Sequence, residues 1–102
     1  MASKVLISIV NHFNYEQIVE NLAPTDFGSE VQLVIIDNGH GQTEMKRFCE
    51  AKSYLYICDK RIRGYGANHN RVFNQYGGDY NYFLVMNPDV RIETVNWRRI
   101  LN

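Results

Sequence analysis

The sequence predicts an α/β fold, a parallel sheet with helices on both faces, and three observations carry that expectation. Short runs rich in β-branched and aromatic residues recur at Val5–Val10, Val31–Ile36, Tyr54–Cys58 and Tyr80–Met86. The stretches between them have helical spacing, so the order is βαβαβαβ with helical crossovers, which implies a doubly wound sheet. The chain also has the means to fill one compact domain: 102 residues, 45% hydrophobic and 13% aromatic, far from the composition of a disordered segment.

Each element has its own signal. Val5–Val10 is β-branched and apolar along its length, as a strand covered on both faces should be. Asn14 is placed to cap a helix, with Gln17 completing a capping box. Ile18 and Leu22 then fall on one helical face, and Pro24 stops the helix. The second strand, Val31–Ile36, ends abruptly at Asp37-Asn38-Gly39. A short helix from about Thr43 to Ala51 buries Met45 and Phe48, and Tyr54–Cys58 forms the third strand. Asp59–Gly64 is charged and ends in glycine, a loop signature. A helix over Tyr65–Tyr76 follows, with Gly77-Gly78 suited to a C-terminal cap. Tyr80–Met86 is the fourth strand, ended by Asn87-Pro88-Asp89, and Ile92–Leu101 has the pattern of one more short helix. The whole chain reads as one Rossmann-like domain.

Composition narrows the function. Eleven basic residues balance eleven acidic ones, which argues against sequence-independent nucleic-acid binding. Cys49 and Cys58 have no CxxC spacing and no histidine cluster beside them, so two reduced, packed thiols are expected rather than a zinc site. His12, His40 and His69 fall on three different connections, and their spacing does not support a metal site. The Val5–Val10 run is too short to span a membrane and lacks a signal-peptide layout, so no transmembrane segment is expected. Neither a serine nucleophile elbow nor a Walker loop is present.

In a doubly wound sheet, ligands sit beyond the carboxyl ends of the strands, at the point where strand order reverses. The polar residues expected there are Asn11 and His12, Asp37 and Asn38, Asp59, and Asn87 and Asp89. Asp37 can accept from a ribose hydroxyl or a base N–H, or it can simply cap the turn that follows it. Pro88 cannot continue a central strand, so the chain turns there and leaves Asp89 near the edge. A carboxylate so placed holds Mg²⁺ or Mn²⁺ when a phosphate supplies further ligands; as a plain Asx-Pro turn it would do no such work. Gly64-Tyr65-Gly66 lacks the third glycine of a dinucleotide fingerprint, since His69 stands there, but it opens a helix N-terminus suited to an anion, near Arg61 and Arg63. Phe13 and Tyr15 are the aromatics placed to stack on a base, although packing is the commoner use.

Four segments together resemble the N-terminal half of family 2 glycosyltransferases of the GT-A fold. They are Val5–Asn14, Val34–Gly39, Gly64–Asn70, and Gly78-Asp79-Tyr80 leading through Phe83-Leu84 to Met86–Val90. The Asn-Pro-Asp form looks most like the rhamnosyltransferase-like branch that builds O-antigen and capsule. The resemblance implies that His12 and Phe13 line a nucleoside pocket, that Asp37 and Asn38 contact the base or ribose, and that Gly64 and Asn70 lie over the donor. Asn87-Pro88-Asp89 would correspond to the DXD element, with Asn87 beside the donor and Asp89 binding the metal. The implied partners are a nucleotide-sugar donor and a saccharide or lipid-linked acceptor, at a cytoplasmic location or one peripheral to the inner face of the membrane.

Three departures shape the expectation. Asn87 replaces the first carboxylate of DXD, so metal binding rests on Asp89. Ile62 stands where the family often has asparagine. The family's general base lies well downstream of DXD, and the chain ends thirteen residues past Asp89, so no residue is assigned that role. A truncated donor-binding domain is expected, one that binds a nucleotide sugar without completing transfer. The alternative is a non-catalytic module kept for assembly, a homodimer covering apolar surface near the fourth strand. A receiver-like signalling domain would want acidic residues after the first strand, where Asn11-His12 supplies none.

Overall fold

A computed structural model describes residues 4–38, 43–59, 61–62 and 64–90. Four strands and three helices alternate: β1 Val5–Asn11, α1 Tyr15–Leu22, β2 Val31–Asn38, α2 Thr43–Lys52, β3 Leu55–Asp59, α3 Tyr65–Tyr76 and β4 Tyr82–Met86, with a 3₁₀ turn at Gly77–Asp79 before β4. All strands are parallel, in the order β3-β2-β1-β4. The expected α/β, Rossmann-like architecture is the one observed. The expected helix over Ile92–Leu101 and the turn at Gly39 lie outside the described residues.

The two faces carry separate apolar layers, as the period-2 alternation of a sheet requires. Val5, Ile7 and Ile9 of β1, with Leu33 and Ile35 of β2, pack on Ile18 and Leu22 of α1 and on Met45 and Cys49 of α2. Leu6 and Val10, with Val34 and Ile36, face Val72 of α3. Every residue of β1 is buried, which explains why its sequence shows no polar alternation. Burial of each large aliphatic side chain contributes about 1.5–3 kcal/mol, so the central pair β1–β2 is the main source of stability.

Several local expectations are corrected. β2 does not stop before Asp37 but runs on to Asn38, because β3 pairs with both residues. Asn14 occupies the N-cap position of α1 without a side-chain cap bond. Its Nδ2 instead lies 3.5 Å from Gln17 Oε1, and its Oδ1 accepts from the His12 N–H at 3.3 Å. Gly77 caps α3 as expected, its N–H donating to the Phe73 carbonyl, in the right-handed conformation at φ −59°, and the chain then tightens into the 3₁₀ turn. β4 is an edge strand. It leaves Tyr82, Leu84 and Val85 between 41% and 48% exposed, in keeping with the apolar surface expected near the fourth strand.

Both cysteines are free, but only Cys49 is packed as expected; Cys58 is exposed. Burial, reinforced by the Asp37 and Glu50 charges, pushes the Cys49 thiol up to about 12. A thiol reagent at mildly alkaline pH should therefore label one cysteine quickly and the other only after denaturant is added. The fast label should vanish in Cys58→Ser, and fast loss of both thiols in the folded chain would contradict this packing.

Candidate functional site at the carboxyl edge of the sheet

The carboxyl ends of three strands are aligned by register. Asn11 pairs with Asp37, Asp37 with Cys58, and Asn38 with Asp59, so the apolar sheet gives way to a polar row. From β1 the chain steps outward through β2 to β3, then returns over β1 by way of α3 to reach β4. Strand order thus reverses between β1 and β4, the position at which such sheets open a binding crevice.

A cleft of about 370 Å³ lies there, with Val10, His12 and Gln17 on the β1–α1 side and Asn87, Pro88 and Asp89 beyond β4. Its size falls in the range of small-molecule sites, roughly 300–1,000 Å³. The Asn87-Pro88-Asp89 segment forms a turn closed by the Val90 N–H donating to the Asn87 carbonyl at 3.1 Å. Proline suits the second position of such a turn because its φ is already set. Asn21 of α1 donates from Nδ2 to the Pro88 carbonyl at 2.9 Å, so α1 holds the turn that presents Asp89. Both Asn87 and Asp89 are exposed.

Other expected site residues lie elsewhere. Asp37 is fully buried and Asn38 is 7% exposed. The Asp37 carboxylate accepts from Asn11 Nδ2 at 2.6 Å and from the Tyr56 hydroxyl. The Asn38 carbonyl lies 3.4 Å from His12 Nδ1. Phe13 is 67% exposed, so a core role is excluded. It lines a neighbouring hollow with Glu16, Glu20 and Glu44 instead, and its ring meets His12 edge-on at 4.9 Å. Gly64 is the exposed N-cap of α3, and a Cβ there would meet nothing within 4 Å. Asn70 lies on the outer surface of α3, beside Ala67, Arg71 and Asn74, and is not part of the switch-point cleft.

Sequence reasoning missed Asn11 as a side chain with a task, and it missed Asn21, Tyr56 and Gln17. Asn11 was legible as a strand-end residue, but its partners are set by register. Asn21 and Tyr56 carry no local signal, because each acts on a residue far away in sequence.

Ser8 Oγ and His69 Nδ1 are 2.7 Å apart. A serine–histidine pair invites a nucleophilic reading, but the two are 0% and 4% exposed, between β1 and α3. The contact is therefore internal packing, and His69 belongs to a helix rather than to a connection. Burial holds the His69 imidazole below its ordinary value. The unfolded chain then binds more protons as pH falls, so the contribution is full above about pH 6.5 and declines below it, down to the folded-state value. Urea midpoints should be lower at about pH 5 than at about pH 7.5. His69→Asn should flatten that slope while lowering stability throughout, and an unchanged slope would remove His69 as its source.

The fold and cleft together define a Rossmann-like α/β domain with a crevice at its switch point. Compared with protein-family models the chain matches none, and no curated protein matches it. Among the described residues, no helix is long and apolar enough to cross a membrane, and no three His, Cys, Asp or Glu side chains gather as a metal-holding group.

Proposed function

We propose that the chain is the donor-binding unit of a family 2-like glycosyltransferase. In this reading it serves transfer of a sugar from a nucleotide sugar to a saccharide or lipid-linked acceptor in surface-polysaccharide synthesis. The observation that carries the reading is the switch-point cleft, which brings His12 together with Asn87 and Asp89. These residues come from two of the four segments on which the family resemblance rests.

The donor set suits a hard cation shared with a ligand. One carboxylate, Asp89, stands beside the neutral Asn87 at an open edge, and Mg²⁺ or Mn²⁺ commonly takes one or two carboxylates plus phosphate oxygens. Asp89 would hold the ion, and when bound the ion would supply Lewis-acid neutralisation of the departing nucleoside diphosphate. His12 and Gln17 offer polar contacts on the opposite wall, and Asn21 keeps the Asp89 turn in place. General-base chemistry is assigned to no residue of this chain.

The test is a nuclear magnetic resonance titration with nucleoside diphosphates and nucleotide sugars at millimolar concentration, with and without Mg²⁺. Cation-dependent shifts at His12 and at Asn87–Asp89 are expected. No shift with any base would sink the proposal. A second reading, a GT-A-like module acting in assembly or homodimerisation, is favoured by the exposed apolar residues of β4. Light scattering distinguishes the two, since a monomer at high concentration counts against assembly.

A further inference from the structure

The geometry points to Asn11 and Tyr56 as positioning residues. Together with Asp37 they form a hydrogen-bonded relay that holds the His12–Phe13 turn in one conformation. Asp37 thus acts through Asn11 and does not touch the ligand. The consequence for affinity rests on the reading of the cleft as a nucleotide site; the relay itself does not.

The relay begins on β3. Tyr56 pairs with Ile35 in register, on the face shared with Asp37, and its long side chain reaches one step further to donate to Asp37 Oδ2. Asp37 Oδ1 accepts from Asn11 Nδ2 at 2.6 Å. The same Asn11 side chain accepts, through Oδ1, from the Asn14 N–H at 2.9 Å. The orientation of this amide is determined on both sides. An ionised carboxylate only accepts and a backbone N–H only donates, so a flipped amide would face oxygen with oxygen and N–H with N–H.

Between the two ends of that clamp the chain must bulge. His12 and Phe13 are the residues that do so, and Phe13 sits in the left-handed region at φ 61°. An aromatic residue adopts that conformation only where its surroundings over-determine it. Phe13 is 67% exposed, and the Asn11–Asn14 bond spans the bulge. Asp37, fully buried and accepting from two strands, is placed to lock Asn11 and not to meet a solute.

The experiment reads the turn in the ligand-free protein. In Tyr56→Phe the Phe13 coupling and carbon shifts that report φ should move toward averaged values. Resonances at the amino ends of β2 and β3 should hold still. Asp37→Asn keeps an acceptor for Asn11 and should leave Phe13 near wild type. Uridine diphosphate and guanosine diphosphate, each with Mg²⁺, are the probes; affinity for whichever binds should fall about threefold to tenfold in Tyr56→Phe and little in Asp37→Asn. If Tyr56→Phe fails to fold, Asn11→Ala, which removes the clamp itself, is read in the same way. Unchanged Phe13 signals in the folded variant would overturn the relay. So would Asp37→Asn losing all affinity with Phe13 unmoved, since Asp37 would then touch the ligand. If wild type binds neither diphosphate, the nucleotide reading fails, while the Phe13 signals still decide the relay.

Discussion

Replacing Asp37 with alanine should destabilise the fold by about 4 kcal/mol, since one buried and one partly buried donor lose this acceptor at roughly 1–3 kcal/mol each. The donors are the Asn11 amide and the Tyr56 hydroxyl, and the first is only 2% exposed. Small domains have about 5–15 kcal/mol in total, and one of this size lies toward the lower end because it buries less of its surface. Asp37→Ala should therefore be partly unfolded at room temperature. Asp37→Asn should differ from wild type by no more than about 1 kcal/mol, because it keeps the acceptor for Asn11 and removes a buried charge that was costly to desolvate. Urea denaturation of the three proteins, followed by circular dichroism, checks the pattern. Equal losses in the two variants would mean that the negative charge, and not the hydrogen-bond geometry, is what the site requires.

Asp89→Asn should have the opposite profile, with little effect on folding and a large one on binding. Asp89 is exposed at the end of a turn, where substitutions usually change stability by about 0.5 kcal/mol or less. If Asp89 carries the cation, losing its charge should weaken Mn²⁺-dependent nucleoside diphosphate binding by on the order of thirtyfold, since charge-assisted contacts at such a site contribute about 2 kcal/mol. Asn87→Asp tests the same idea in reverse: a second carboxylate should tighten Mn²⁺ binding severalfold and make it measurable with less nucleotide present. Paramagnetic broadening by Mn²⁺ gives a direct readout, centred on Asn87–Val90 in wild type and lost in Asp89→Asn. Broadening that persists unchanged in Asp89→Asn would move the metal elsewhere.

The contrast between these two aspartates shows what was legible in the sequence. Both follow an apolar run and both lie within two residues of an asparagine. The exposed turn at Asp89 was legible because Pro88 forces the chain off the sheet, a constraint carried by the local covalent structure. Asp37 was not, since a strand-end carboxylate looks the same whether it accepts from a ligand or from its neighbours. Only the register with β1 and β3 reveals Asn11 and Tyr56 as donors. All four strands and three helices were recognisable from apolar runs and helical spacing, but strand order was not. Periodicity does not distinguish a central strand from an edge strand such as β4.

The order β3-β2-β1-β4 also has a temporal meaning. β1 can pair with β2 after closing a modest loop, whereas β4 must return across nearly the whole described chain to reach it, which places that contact late in folding and early in unfolding. Backbone amides of Tyr82–Met86 should accordingly exchange with solvent faster than those of Leu33–Ile36. The cleft therefore has one durable wall, carrying His12, and one intermittent wall, carrying Asn87 and Asp89. An occupant bridging the two would hold the late strand in place, and slowed exchange along β4 would register its arrival.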